Sequence, residues 1–353
     1  MTSLLVRAAA VASLLACAQL ARAQLVPDRL YYGISRPIPM QVKVPQEAHG
    51  DARVDLYGPD ENTPAYTAFV AKGGVDMAAL FPALWTATAP RLLYAQLVVG
   101  QDKVGPPVVL QPMVNPMAAM LYNEHLRQPW FIDPTTHLPN FKAKDGQIEW
   151  VKYETPTYTG IRAYVDKNLV FDTSLGEIEF RMRPDQAPNT CFNIRQLVEG
   201  GFYTDIIFHR VVPRLPTGAP FVIQVGDPTG TGDGGPGFSY ALEQSRLGHD
   251  FGVLSVARES EPNTNGSQVF ICLSREGTQR LDGKYTAFAQ AVRGADTILA
   301  IAATPLIPDK PGEEPKNRPK DPPVLRSARL VDAPPFGTGA VPLTRPQAPP
   351  TKR

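Results

Sequence analysis

What most limits the fold of this chain is where its apolar residues stop. From Ile161 onward they come in short runs, and most runs end at Gly, Pro or Asn within a few residues. Runs of that length suit β-strands better than packed helices. Leu169-Val170-Phe171 and Glu177-Ile178-Glu179-Phe180 read as a hairpin turning at Ser174-Leu175-Gly176. Further strand-like runs lie at Ile206–Val212, Phe221–Val225, Gly252–Ala257, Val269–Leu273, Tyr285–Val292 and Val324–Val331. One helix opens at Ala187-Pro188-Asn189-Thr190, where Pro suits the first turn. Cys191, Ile194, Leu197 and Val198 share a face of it, and Gly200-Gly201 ends it. About eight strands with few helices suggest a closed antiparallel barrel over residues 161–333.

At 353 residues the chain has room for a second domain. Residues 24–112 read as a small β-rich unit of the sandwich kind. Gln41–Val44 and Arg53–Leu56 alternate polar and apolar, and Leu84–Thr88 and Leu92–Val99 continue the pattern. Residues 113–160 read as a connector, with a candidate helix over Pro116–Leu126 among Pro-broken stretches. Residues 334–353 form a Pro-rich tail expected to be disordered.

The first 23 residues read as a signal peptide. Arg7 ends a short basic region, Ala8–Leu20 is apolar, and Ala21-Arg22-Ala23 has the small-x-small form of a cleavage site. The expected protein is therefore exported, periplasmic or extracellular. A lipoprotein anchored at Cys17, after Leu14-Leu15-Ala16, is the minor alternative. No later apolar run is long enough to span a bilayer. The net charge of +1 falls to −1 without Arg7 and Arg22, so there is no long-range field for nucleic acid. Cys191 and Cys272 would then be the remaining cysteines. Both sit in apolar surroundings and read as buried thiols, and an export route leaves a disulfide open.

Most routes to covalent chemistry are missing. Gly230-Thr231-Gly232-Asp233-Gly234-Gly235 fits G-x-G-x-x-G, but Pro236-Gly237 follows where a dinucleotide-binding helix should begin. The five His, at 49, 125, 137, 209 and 249, lack metal-ligand spacing. No Gly-x-Ser-x-Gly elbow appears, and no Cys stands beside a candidate base. No metal and no cofactor is expected.

Phe208-His209-Arg210-Val211-Val212-Pro213 is similar to the signature around the catalytic arginine of the cyclophilins. Phe221-Val222-Ile223-Gln224-Val225-Gly226-Asp227, then the glycine-rich Pro228–Gly237, resemble the segments that follow it. Ser255-Val256-Ala257-Arg258 and Pro262-Asn263-Thr264-Asn265-Gly266-Ser267-Gln268-Val269-Phe270 form the most specific match. Leu281-Asp282-Gly283-Lys284, Thr286-Ala287-Phe288 and Asp172–Ile178 extend it, all in order over roughly residues 162–332. The chain thus resembles a cyclophilin-type peptidyl-prolyl cis/trans isomerase of a bacterial-like, exported kind. The fold this implies is an eight-stranded antiparallel barrel closed by two helices, behind a small sandwich-like domain.

The resemblance implies roles as well. Arg210 would donate to the twisted X–Pro amide, and Gln224 would hold Arg210 and orient the carbonyl. Phe221, Val222, Phe270 and Leu281 would wall a proline pocket, with Tyr285 in a place usually held by His. Ala257, the backbone of Arg258 and Gln268 would hold the peptide on its N-terminal side. The partners would be proline-containing polypeptides. Several positions depart from the family. Val222 stands where Met is common, Val225 where Gly is, Arg258 where Asn is frequent, and Arg280 where many eukaryotic members have Trp. Arg214–Pro220 lengthens the segment before Phe221. These departures bear on substrate preference and on cyclosporin. The alternative is a non-catalytic peptide-binding or scaffold module that keeps the barrel.

Overall fold

A computed structural model describes residues 24–44, 49–123, 128–131, 149–308 and 317–346. The signal-peptide reading of residues 1–23, Cys17 included, lies outside the described residues. The protein is mainly β with few helices. Among the described residues, no helix is long and apolar enough to cross a membrane.

In the C-terminal half, β1 (Lys167–Thr173) and β2 (Gly176–Met182) form the expected hairpin, with Thr173 opposite Gly176. Helix α1 (Pro188–Glu199) starts at the Pro and stops at Gly200. Then come β3 (Thr204–Ile207), β4 (Arg210–Val212), β5 (Val222–Val225), β6 (Val253–Val256) and β7 (Val269–Cys272). Strand β8 (Ala287–Arg293), helix α2 (Ala295–Ala302) and β9 (Val324–Asp332) complete the set. They make one antiparallel sheet in the order β3-β9-β1-β2-β8-β6-β7-β5-β4.

Nine segments stand where eight strands were expected, because Phe208 and His209 interrupt the run from Ile206 to Val212. The two edge strands, β3 and β4, are the halves of that run. The sheet therefore curls until its edges are neighbours along the chain.

Strand alternation sorts the side chains onto two faces. Val211, Ile223, Ile271 and Leu254 lie opposite one another across β4, β5, β7 and β6, and all are fully buried in the main core. Phe171, Phe180, Phe208 and Phe288 fill the same core, capped by Ile194 of α1 and Ile298 and Ile301 of α2. Cys191 and Cys272 are free, buried thiols with pKa values raised by burial. The cysteines are packing residues here.

The N-terminal half contains a three-stranded sheet of Gln24–Pro27, Pro39–Lys43 and Gly73–Asp76. A second sheet includes Ala52–Tyr57, Tyr66–Phe69, Leu93–Val99, Val108–Asn123 and Glu149–Val165. Leu25, Met40 and Val42 of the first pack with Val54, Leu56, Leu97 and Val108 of the second.

Two local expectations are corrected. Ala83–Thr86 is a helical turn and not a strand, because Pro82 enters it in helical geometry and Leu84 turns inward. Pro116 to Asn123 is strand and not helix, paired with Glu149–Lys152 through Met120↔Glu149 and Met117↔Lys152 and with Gln128–Phe131 through Asn123↔Gln128 and Met120↔Phe131. Strand pairing on both sides overrode local helix preference there.

The Pro-rich segment, expected to be disordered, is described as far as residue 346 and makes specific contacts. Phe336 is buried, stacked on Tyr57 at 4.7 Å and tilted against Tyr94 at 5.1 Å. Its N–H donates to Gln96 Oε1 (2.7 Å), and Lys103 Nζ donates to its carbonyl (2.9 Å). Further on, Leu343 N–H donates to Ala291 O, and Arg345 Nη1 to Leu273 O.

Candidate active site

The face of β4, β5, β7 and β6 turned away from the core carries a different row. Arg210 lies opposite Gln224, Gln224 opposite Phe270, and Phe270 opposite Ser255. Two residues along, Val212, Val222 and Cys272 form the next row. These residues, with Phe221, Leu281 and Ala287, make a second apolar cluster outside the main core. Period-two alternation alone puts one arginine, one amide and one aromatic ring side by side.

The rows floor a cavity of about 310 Å³ lined by Arg210, Phe221, Val222, Gln224, Ala257, Arg258, Phe270, Leu281 and Tyr285, joined by Arg280. Every residue singled out from the sequence is there except Gln268, which lines the adjoining hollow. The lengthened segment Arg214–Pro220 does not line the cavity. It folds on itself, with Leu215 N–H donating to Ala219 O and Arg214 Nη1 to Gly218 O, and Leu215 leans on the second cluster. A larger cavity of about 540 Å³ lies under the Pro334–Pro342 segment, beside Asp166, Asn168 and Arg181. Its arginines stand among the carboxylates of Asp166, Glu179 and Asp332, and none of the residues singled out from the sequence is there, so the smaller one is the candidate.

Arg210 is held by a chain of amides. Its Nη1 donates to Gln224 Oε1 (3.0 Å), and Gln224 Nε2 donates to Gln268 Oε1 (2.8 Å). Gln268 Nε2 in turn donates to the carbonyls of Gly232 (2.6 Å) and Gly234 (2.9 Å). That loop is shaped by the buried carboxylate of Asp227, which accepts from Thr229 N–H and hydroxyl and from Gly232 N–H. Burial works against ionisation of Asp227, but these donors win and hold its pKa at about 2. Gly226 makes the bend possible: its φ is +106°, and a Cβ there would sit 2.3 Å from Ser267 O. Burial lowers the pKa of Arg210, yet a guanidinium remains charged.

The aromatic walls are buttressed. Phe270 meets Tyr285 edge to face at 5.7 Å and is stacked with His249 at 5.9 Å. His249 is fixed between Asp282 Oδ1 (2.9 Å) and Ser255 Oγ (3.0 Å). The sequence shows His249 as one of five scattered histidines, and its buttressing role arises only in the fold. Its spacing from Ser255 and its place before the Leu281-Asp282-Gly283 match were the available signals.

The arrangement offers an apolar slot, an arginine fixed by an amide chain, two further arginines at the rim and no nucleophile. Among the described residues, no group of three His, Cys, Asp or Glu could hold a metal.

Residues 168–329 match the family of cyclophilin-type peptidyl-prolyl cis-trans isomerases. The chain is 41% identical over 136 residues to peptidyl-prolyl cis-trans isomerase-like 1 of Aspergillus fumigatus, covering 37% of this chain and 79% of the relative. This protein belongs to the cyclophilin family. A cyclophilin relative from Emericella nidulans, again isomerase-like 1, is 36% identical over 171 residues, 47% of this chain and 96% of its own. Peptidyl-prolyl cis-trans isomerase ppi1 of Schizosaccharomyces pombe is 42% identical over 132 residues, 36% of this chain and 79% of its own. A crystal structure of a Cryptosporidium parvum cyclophilin in the presence of the dipeptide Ala-Pro shares 31% identity, with a TM-score of 0.41. It covers 47% of this chain and 99% of that one. All ten residues assigned to the site from the sequence lie inside the matched cyclophilin segment.

Proposed function

We propose that this cyclophilin catalyses cis/trans isomerisation of X–Pro bonds in exported proteins, by stabilising the twisted amide non-covalently through Arg210. The observation that carries the reading is Arg210, held by Gln224 at 3.0 Å beside a slot walled by Phe221, Val222, Phe270 and Leu281. The X–Pro bond resists rotation with a barrier of ~18–20 kcal/mol because resonance stiffens the C–N bond. Twisting removes that resonance and leaves a more basic proline nitrogen. The slot takes the ring out of water, and Arg210 presents charged donors where that nitrogen gains electron density. Gln224 fixes the guanidinium and has an amide to offer the carbonyl. Ala257, the Arg258 backbone and Gln268 hold the residues before the proline. No bond is made or broken and no cofactor is required.

The wider assignment is part of the proposal. Residues 1–23 act as a cleaved export signal of a bacterial-like protein, with lipoprotein anchoring at Cys17 the alternative. Residues 24–112 begin a β-rich unit whose second sheet also takes in the strands Val108–Asn123 and Glu149–Val165, so the segment 113–160 is built into that unit. Lys167–Asp332 form a closed barrel that carries the activity. Recovery of the protein outside the cytoplasm beginning at Gln24 supports export, and a lipid-modified Cys17 supports anchoring.

Line-shape or exchange spectroscopy on an Ala-Pro peptide with purified protein tests the catalysis. Accelerated interconversion is expected. Saturable peptide binding without acceleration would establish the scaffold alternative instead.

A further inference from the structure

The cavity is lined by three arginines, Arg210, Arg258 and Arg280, and by no carboxylate. The chain as a whole is balanced, with 35 Lys and Arg against 34 Asp and Glu, so this clustering is local. Elsewhere arginines are neutralised, as Arg53 by Asp55, Arg183 by Asp185 and Arg275 by Asp282. Among the described residues none of the three cavity arginines has a carboxylate at ion-pair distance.

What holds them is neutral. Arg210 bonds to the Gln224 amide. Arg258 lies over the Tyr285 ring at 4.7 Å and donates to the carbonyls of Lys284, Glu259 and Ser260. Arg280 lies over the Phe221 ring at 4.9 Å, is exposed, and makes no side-chain hydrogen bond among the described residues. Carbonyls and ring faces orient a guanidinium without cancelling its charge. Apolar walls beneath concentrate the field in the slot.

The nearby acids are unevenly placed. Glu259 and Asp233 line the adjoining hollow of about 300 Å³, which shares Gln224, Ala257 and Arg258 with the cavity. They offset Arg258 on that side. Around Arg280, the Asp282 carboxylate is taken by Arg275 and His249, and Glu276 is exposed one helical turn earlier. Arg280 is thus the accessible cation whose donors are open.

We propose that this site selects X–Pro bonds followed by an acidic residue, Asp or Glu, with Arg280 the specificity-determining residue. The proposal rests on the isomerase reading above: with the residues before proline along Ala257–Gln268, the residue after it falls on the Arg280 side. An exposed charge pair at a rim is modest and is screened by salt.

The test measures kcat/KM by exchange spectroscopy on three peptides that differ only after proline: Ala-Pro-Glu, Ala-Pro-Ala and Ala-Pro-Lys. At low salt the Glu peptide is expected to exceed the Lys peptide roughly 3–10-fold, with the ratio shrinking towards one at ~0.5 M salt. Arg280→Gln is expected to remove most of the ratio and Arg280→Lys to keep about half of it on a logarithmic scale. Equal rates for all three peptides in the wild type, or an unchanged ratio in Arg280→Gln, overturn the assignment while leaving the isomerase reading intact. No acceleration of the Ala peptide would instead overturn the isomerase reading itself.

Discussion

Arg210→Ala separates the chemistry of the site from its folding. The side chain belongs to the outward row of β4, whereas its neighbour Val211 is the core residue. Truncation leaves the ladder between β4 and β5 and the buried row Val211, Ile223, Ile271 untouched. Gln224 loses one partner, but it is only half-buried and water can replace the guanidinium. A folding defect is therefore not expected.

The catalytic loss is larger. A 10⁵-fold acceleration corresponds to about 7 kcal/mol off the barrier. Removing one preorganised donor in comparable sites costs about 2.7–4 kcal/mol, so kcat/KM should fall by roughly 10²–10³. The apolar slot would supply the remaining acceleration. Arg210→Lys should recover only part of the loss, because an ammonium lacks the fork that reaches Gln224 and substrate together. Exchange between cis and trans Ala-Pro resonances gives the rate, and circular dichroism reports the sheet. A rate within about threefold of wild type, with an unchanged spectrum, would refute the role given to Arg210.

Cyclosporin should bind poorly, since Arg280 sits over Phe221 where a broad indole face would serve the drug; Arg280→Trp should recover about 1–2 kcal/mol by calorimetry, and tight binding by the unmodified protein would show that Arg280 does not obstruct. Phe336→Ala should destabilise by about 3 kcal/mol, judged from the burial of its ring between Tyr57 and Tyr94. An unchanged urea midpoint would show that this packing contributes nothing. Burial pulls the pKa of His249 below its usual value against the attraction of Asp282, and His209 is shifted the same way by burial. As pH falls through ~6.5 the unfolded chain takes up the proton first, so stability is lost from there down to the folded pKa. Asp166, pushed up to about 7 by burial, adds stability over the same range, so the histidine is read from a difference. The change in urea midpoint between pH 7.5 and 5.5 should be less favourable in wild type than in His249→Gln, and parallel slopes would sink this assignment.

Much of the site was legible because it depends on contiguous strand sequence. Alternation in Phe208–Pro213, Phe221–Asp227 and Gln268–Phe270 already places Arg210, Gln224 and Phe270 on one side of their strands. Registry between strands then follows from the core row. What the sequence hid arises from contacts between distant segments. His249 becomes a support for Phe270 only when Asp282 and Ser255 close around it. Gln268 reads as a site residue from the sequence, but its link from Gln224 to the Gly232 and Gly234 carbonyls exists only once the loop has folded back. Pro116–Asn123 looks locally helical, and its strand state depends on two partners, Gln128–Phe131 and the strand beginning at Glu149. Ala83–Thr86 was missed for the opposite reason, a single Pro setting one turn.

The anchoring of Phe336 ties the order of synthesis to the order of assembly. Its bonds with Lys103 and Gln96 join residues 233 and 240 positions apart in the chain. A ribosome adds ~5–20 residues each second, so the slot between Tyr57 and Tyr94 waits at least about ten seconds for its occupant. Until then that aromatic surface faces solvent or a chaperone. A nascent chain stopped between the end of β9 at Asp332 and Phe336 would carry the whole catalytic cavity and still present an open seam at its front.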